Sequence, residues 1–194
     1  MAQQLTLFEA PQPDRPKYSL FLAIFPDRLT AQHISELAMK IRETHGLRGR
    51  TRPLNHLHVT LHFPIRCSEV AVCLVGQICK EVAALVPPFE IKFDRMLSFR
   101  GGIDNRPLVM VNHGDGNAAL TRLHQALGAE MIGYWRRSDG NLRFNPHITL
   151  LYDRQGIPEE PIDPVSWMVD EIVLVRSEVG ATKYERLGHW KFVG

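Results

Sequence analysis

The chain has 194 residues, 44% of them hydrophobic and 23% charged, with a formal net charge of +2. That is enough for one well-buried core and too little for two large independent domains, and no apolar run approaches the roughly 20 residues that cross a bilayer. A charge so near zero announces no polyanionic partner by itself, yet the cations are 17 Arg to 6 Lys, and the guanidinium suits two-point contact with phosphate.

Residues 1–16 are polar and carry Pro11, Pro13 and Pro16, so they read as a flexible tail. They lack the basic start and apolar stretch of a secretory signal, which makes the cytoplasm the expected location. YSLFLAIF (18–25), ended by Pro26 and Asp27, reads as a buried strand, and residues 29–45 as a helix with Leu29, Ile34, Leu37, Ala38 and Ile41 on its buried stripe, stopped at His45 and Gly46. The Arg-rich loop GLRGRTRPLN leads into HLHVTLHF (56–63), whose period of two puts His56, His58, Thr60 and His62 on one face of a strand. A second helix (68–86) stops at Pro87 and Pro88, and FEIKFDRMLSF (89–99) alternates as a strand. Cys67, Cys73 and Cys79 fall together at that helix, where they cannot staple distant segments, and read as buried free thiols.

The plan then repeats. PLVMVNH (107–113) reads as a strand, 117–135 as a helix with Leu120, Leu123, Leu127 and Met131 inward, and FNPHITLLY (144–152) as a strand. Leu20 to Leu108 is a shift of 88 residues and His58 to His147 a shift of 89, so the domain, 17–194, reads as two related halves, about 18–99 and 105–194. After a Pro-rich loop (156–164), WMVDEIVLVRSEV and YERLGHWKF read as two closing strands that pair as a hairpin across Gly180.

The two His-x-Thr-Leu strings carry the chemistry. Each sets an imidazole and a hydroxyl two residues apart on one strand face, and packing the halves about a pseudo-twofold axis brings two of each into one cleft. Hydrolysis of a cyclic phosphodiester needs that set: a base for water, an acid for the departing ribose oxygen on the far side of phosphorus, and donors for the non-bridging oxygens. Histidine supplies acid or base near neutral pH and threonine an uncharged donor; no metal and no other cofactor is required. Arg48, Arg50 and Arg52 precede the first motif and Arg136, Arg137 and Arg143 the second, candidates for facing phosphate.

At LFLAIFP, NHLHVTLHF, FNPHITLLY and the tail SEVGATKYERLGHW the chain resembles the two-histidine phosphoesterase superfamily, and within it the RNA 2',3'-cyclic phosphodiesterases, also named 2'-5' RNA ligases. The resemblance implies an α+β, bilobed fold, two pseudo-symmetric lobes of antiparallel sheet with helices outside and a central cleft. It implies His58 as proton donor to the leaving 3' oxygen, His147 as proton acceptor activating water, and Thr60 and Thr149 on the phosphoryl oxygens. Its substrates are RNA ends or nucleotides with a 2',3'-cyclic phosphate, its product a 2'-phosphate, with a weaker reversible ligation. Leu151 and Tyr152 stand where that family commonly has an arginine, which comes here only at Arg154; another small cyclic phosphate therefore remains an alternative substrate.

Phe63 and Tyr152, with Arg143 and Arg154, are the candidates for substrate binding, the two aromatics either stacking a base or closing the core. Two rival readings keep the cleft: zinc held by His56, His58 and His62, against which the second motif offers only His147, and a nucleotide- or RNA-binding module without turnover, against which stand two titrating groups. The chain reads as a monomer with no membrane partner. In the tail, Gln4, Leu5, Thr6, Leu7 and Phe8 resemble the short peptide with which bacterial proteins dock on the DNA polymerase sliding clamp.

Overall fold

The structure, a computed structural model, describes residues 17–62, 68–102, 105–114, 116–131, 144–178 and 183–194. The sliding-clamp segment at Gln4, Leu5, Leu7 and Phe8, together with Phe63, Cys67, Arg136, Arg137, Arg143 and Gly180, lies outside the described residues.

Strand β1 (Tyr18–Ile24) is buried on both faces, which is why its sequence is apolar without alternation. Helix α1 (Arg28–Thr44) begins where the Asp27 carboxylate accepts the Leu29 and Thr30 amides. Those bonds, the Thr30 hydroxyl above all, hold that carboxyl below its ordinary pKa. The helix ends at His45, after which Gly46 turns the chain with φ of +64°. Ala31, Ile34 and Ala38 carry its buried stripe; Leu29, expected there, is 78% exposed because it precedes Ala31 by two residues and so faces the opposite side.

Strand β2 (Val59–His62) is shorter than expected, because Leu54–His56 form a single 3-10 turn. Helix α2 (Glu69–Ala83) is capped by the Ser68 hydroxyl on the Ala71 amide. Of the cysteines expected to be buried, Cys79 is, its thiol pushed up to about 12 by burial, whereas Cys73 faces solvent. Strand β3 (Phe89–Ser98), strand β4 (Arg106–Val111), helix α3 (Ala118–Glu130) and strand β5 (His147–Asp153) follow in the expected order, and Leu120, Leu123, Leu127 and Met131 are all buried. The stretch read as a Pro-rich loop and one strand is instead two strands, β6 (Glu160–Val169) and β7 (Glu171–Glu178), before β8 (Tyr184–Lys191). Pro161 and Pro164 are tolerated in β6 because it lies at the sheet edge.

All eight strands form one antiparallel sheet in the order β6-β3-β4-β5-β2-β1-β7-β8. Two four-stranded lobes meet at its centre through the single pair Val59 and Ile148. The lobes do not coincide with the sequence halves: β3 pairs with β4 and β6, while β7 returns from the far end of the chain to pair with β1. Asp170 alone joins β6 to β7 although five strands lie between them in the sheet. Flat, they would stand about 30 Å apart at ordinary strand spacing, whereas residues two apart in the chain reach only about 7 Å, so the sheet curls strongly.

The helices pack on one face of this sheet, over Leu20, Leu22 and Ile24 of β1, Leu108 and Met110 of β4, and Ile148 of β5. The opposite face carries Phe21 and Ala23 with Val173 and Val175. No described helix is long and apolar enough to cross a membrane.

Candidate active site

Residues paired across an antiparallel ladder point to the same face. Thr60 pairs with Ala23, Thr149 with Val109 and His147 with Val111, so both motifs lie on the face opposite the helices, at the two central strands. Each strand then breaks register at the next residue. Ala23 opposes Thr60 but Leu22 opposes His62, leaving Leu61 as an extra residue; Val109 opposes Thr149 but Leu108 opposes Leu151, leaving Leu150 as its counterpart. The two β-bulges are 89 residues apart, the spacing of the motifs themselves.

Each bulge carbonyl is taken by a donor from elsewhere. Leu150 accepts the Arg52 amide at 2.7 Å, and Leu61 accepts the His124 Nδ1 proton at 2.8 Å. The bulge also turns His62 over. Instead of sharing the His58 face, it sits against α3, donating from Nε2 to the His124 carbonyl at 2.8 Å and stacking on the His124 ring at 4.1 Å. The three imidazoles proposed for zinc are thereby split between the two faces of the sheet.

Burial lowers His62 to about 4, against the opposing pull of its bond to the His124 carbonyl, and burial lowers His124 as well. His62 therefore stays neutral in the folded chain well below the ordinary value near 6.5, and both rings bind a proton more readily in the unfolded chain as pH falls through that value. The native state must lose stability over that window, by at most about 1.4 kcal/mol per pH unit for each proton. Replacing His62 by the leucine that occupies its counterpart, Leu151, is expected to make urea-unfolding free energies fall less steeply between about pH 6.5 and 4. An unchanged slope would contradict the assignment.

The catalytic candidates are held alike. His58 donates from Nδ1 to the His56 carbonyl at 2.7 Å, and His147 from Nδ1 to the Asn145 carbonyl at 2.8 Å. A carbonyl only accepts, so the contact fixes the tautomer and leaves Nε2 of both rings for chemistry. Thr60 and Thr149 are partly buried on the same face. Burial, with smaller contributions from the Arg52 guanidinium and the His56 and His147 rings, brings His58 down to about 4, against its bond to the His56 carbonyl.

Around His58 stand Phe21 at 5.0 Å, Phe25 at 5.6 Å and the edge of Tyr184 at 5.7 Å, and Tyr184 stacks on His56 at 4.1 Å. Phe99 meets His147 edge-on at 5.1 Å. Phe21 and Phe25 fall in the strand read from YSLFLAIF and Tyr184 in the tail that carries the resemblance, but nothing in the sequence marks these rings, or Phe99, as neighbours of the two histidines.

Of the arginines before the first motif, Arg52 reaches the site, its guanidinium 5.5 Å from the centre of the Tyr152 ring, while Arg48 and Arg50 are exposed. Tyr152 is 40% exposed and not part of the core, and Arg154 is exposed just beyond β5. The loop delivering Arg52 is fastened to β5 of the other lobe. The Asp153 carboxylate accepts the Arg48 and Gly49 amides, both at 2.6 Å, and those bonds with the Gln155 and Arg154 amides lower its pKa against the effect of burial. Asp153 had no sequence signal.

The chain matches the 2'-5' RNA ligase superfamily over residues 25–181. No curated relative matches the sequence. Among solved structures it is similar to TT0787 of Thermus thermophilus at 22% identity and a TM-score of 0.73, over 90% of this chain and 97% of that one. It is also similar to LigT of E. coli in complex with 3'-AMP, at 25% identity and a TM-score of 0.69, over 91% and 98%. A more distant likeness is to Usb1 of Kluyveromyces marxianus, at 16% identity and a TM-score of 0.50, over 90% and 99%. With the family match covering most of its length and the paired motifs on adjacent central strands, this chain belongs to the 2'-5' RNA ligase superfamily, the two-histidine phosphoesterases.

Proposed function

We propose that the protein hydrolyses 2',3'-cyclic phosphodiesters at RNA or nucleotide ends to 2'-phosphates, without a metal, and runs the reverse 2'-5' ligation weakly. The observation that carries this reading is the matched tethering of His58 and His147, each by Nδ1 to the carbonyl two residues back, with both Nε2 atoms left on the face that holds Thr60 and Thr149. That LigT of E. coli binds 3'-AMP supports a ribonucleotide ligand.

In the proposed step a water oxygen attacks phosphorus as His147 Nε2 takes its proton. The bond from phosphorus to the 3' oxygen breaks, and His58 gives its Nε2 proton to that oxygen. Atoms balance as one water added, and solvent returns the two rings to their starting protonation. Thr60 and Thr149 donate to the non-bridging oxygens, and the Arg52 guanidinium adds charge complementary to the phosphate.

The test is to incubate 2',3'-cyclic AMP and an RNA ending in a cyclic phosphate with protein in excess EDTA and to identify the product. Turnover is expected to persist and to give the 2'-phosphate alone. Activity abolished by EDTA and restored by a divalent metal would overturn the metal-free reading, and a 3'-phosphate product would reverse the assignment of the leaving oxygen.

A further inference from the structure

Through the sheet the two lobes are joined at Val59 and Ile148, the residues that follow His58 and His147. Continued by one residue either way, that antiparallel register sets Thr60 opposite His147 and His58 opposite Thr149. The proposed chemistry needs the two motifs at a fixed separation, because the line of attack and departure at phosphorus runs from one to the other. A single ladder pair among the described residues is a slender joint for that task.

Two further bonds cross the same seam, in opposite directions. The Arg52 amide, on the segment before β2, reaches the Leu150 carbonyl beside Thr149, and His124 Nδ1, on α3 between β4 and β5 in the chain, donates to the Leu61 carbonyl beside Thr60. The first crossing has other supports, the bridge of Thr51 with Leu151 and the Asp153 bonds to Arg48 and Gly49. The second depends on a side chain. His124 lies between two rings, His62 at 4.1 Å and 9° and Phe144 at 4.0 Å and 4°, and its own carbonyl accepts His62 Nε2. Helix α3 comes so near β2 that a Cβ on Gly128 would stand 3.3 Å from His62 Cε1. Phe144 in turn precedes Asn145, whose carbonyl orients His147. One imidazole thus touches both the bulge after the first motif and the approach to the second.

We infer that His124 is a positioning residue of the reaction, its bond to the Leu61 carbonyl fixing the separation of His58 and Thr60 from His147. The inference rests on the hydrolase reading above. Leu61 is the extra residue of its bulge, so without the His124 proton its carbonyl is left unsatisfied and β2 gains freedom to shift against β5. A misplacement of about 1 Å can cost on the order of 100-fold in rate. His124 packs on the helix side of the sheet, away from the reacting atoms, so its loss acts through alignment and not through substrate contact.

The experiment measures turnover of 2',3'-cyclic AMP by three variants. His124→Phe keeps a ring between His62 and Phe144 but donates nothing. His124→Asn gives up the ring and sets an amide nitrogen close to where Nδ1 stands, whereas the amide of His124→Gln falls near Nε2 instead. His124→Phe and His124→Gln are each expected to lower kcat about tenfold or more with KM within about threefold, and His124→Asn to stay within about threefold of the wild type in both. In a His147→Ala background His124→Phe should cost less than about threefold more, since no second imidazole is left to align. Wild-type kcat in His124→Phe, an equal loss in His124→Asn, or an undiminished loss in the His147→Ala background would overturn the inference. Urea unfolding shows which variants are folded at the assay temperature, and His124→Gln decides if His124→Phe is not. No turnover by the wild type overturns the hydrolase reading and this inference with it, whereas wild-type turnover with unchanged kcat in the variants overturns the inference alone.

Discussion

His58→Ala and His147→Ala are each expected to lower kcat on a 2',3'-cyclic nucleotide by about 100-fold or more, the usual scale for removing a general acid or base. The double variant should lose little beyond the worse single one, since the two rings act on one transition state. Activity kept within a few-fold in either single variant would sink the mechanism. The same experiment assigns the roles. Burial keeps the free His58 near 4 and so neutral at about pH 7; to give a proton it must first gain one, and the arriving phosphate anion favours the charged ring. A donor works only below its pKa, so His58 sets the alkaline limb. That limb should lie at higher pH in kcat, which reports the complex, than in kcat/KM, which reports the free enzyme. In residual activity of His58→Ala it should disappear. If it persists there, His58 is the base and His147 the acid.

Gly49→Ala is expected to cost about 2–4 kcal/mol of stability and to raise KM about tenfold. A Cβ at this position would overlap the carbonyl oxygen of Tyr152 and crowd the Leu151 side chain. Backbone cannot yield as a side chain tip can, so the loop must lift off β5. Lifting it gives up the two amide bonds to Asp153 and the Arg52 amide bond to the Leu150 bulge carbonyl, and carries Arg52 away from the phosphate. Chemical denaturation and steady-state kinetics on one preparation check both halves. Wild-type stability with wild-type KM would show that the loop is not fastened there.

The paired His-x-Thr strings were legible because each needs only a strand and a period of two, and the repeat at 89 residues announced the second copy. The bulges at Leu61 and Leu150 were not, since an extra residue in a ladder depends on the partner strand and leaves no local mark. That is why His62 was placed with His58 when it faces α3. Strand β6 was hidden by Pro161 and Pro164, which read as a loop until the strand is known to be an edge. The exchange of β3 and β7 between lobes was invisible for a related reason: pairing of Phe21 with Val175 spans most of the chain. The aromatic wall of Phe99 and Tyr184 is likewise assembled by topology, not by spacing.

That long-range pairing sets an order on biosynthesis. Strands β3 to β6 occupy one stretch of chain, and each finds a partner within it, so the lobe bearing His147 is the first able to close as the polypeptide is made. Strand β1 is made first but pairs along its length with residues 173–178. Until nearly the whole chain has emerged, Phe21 and Ala23 have neither β7 nor β8 beside them, and β1 offers a bare apolar edge to any other strand. The lobe bearing His147 can thus close from a continuous stretch of chain, while β1, the first-made strand and the one that flanks His58, waits longest for its β7 partner.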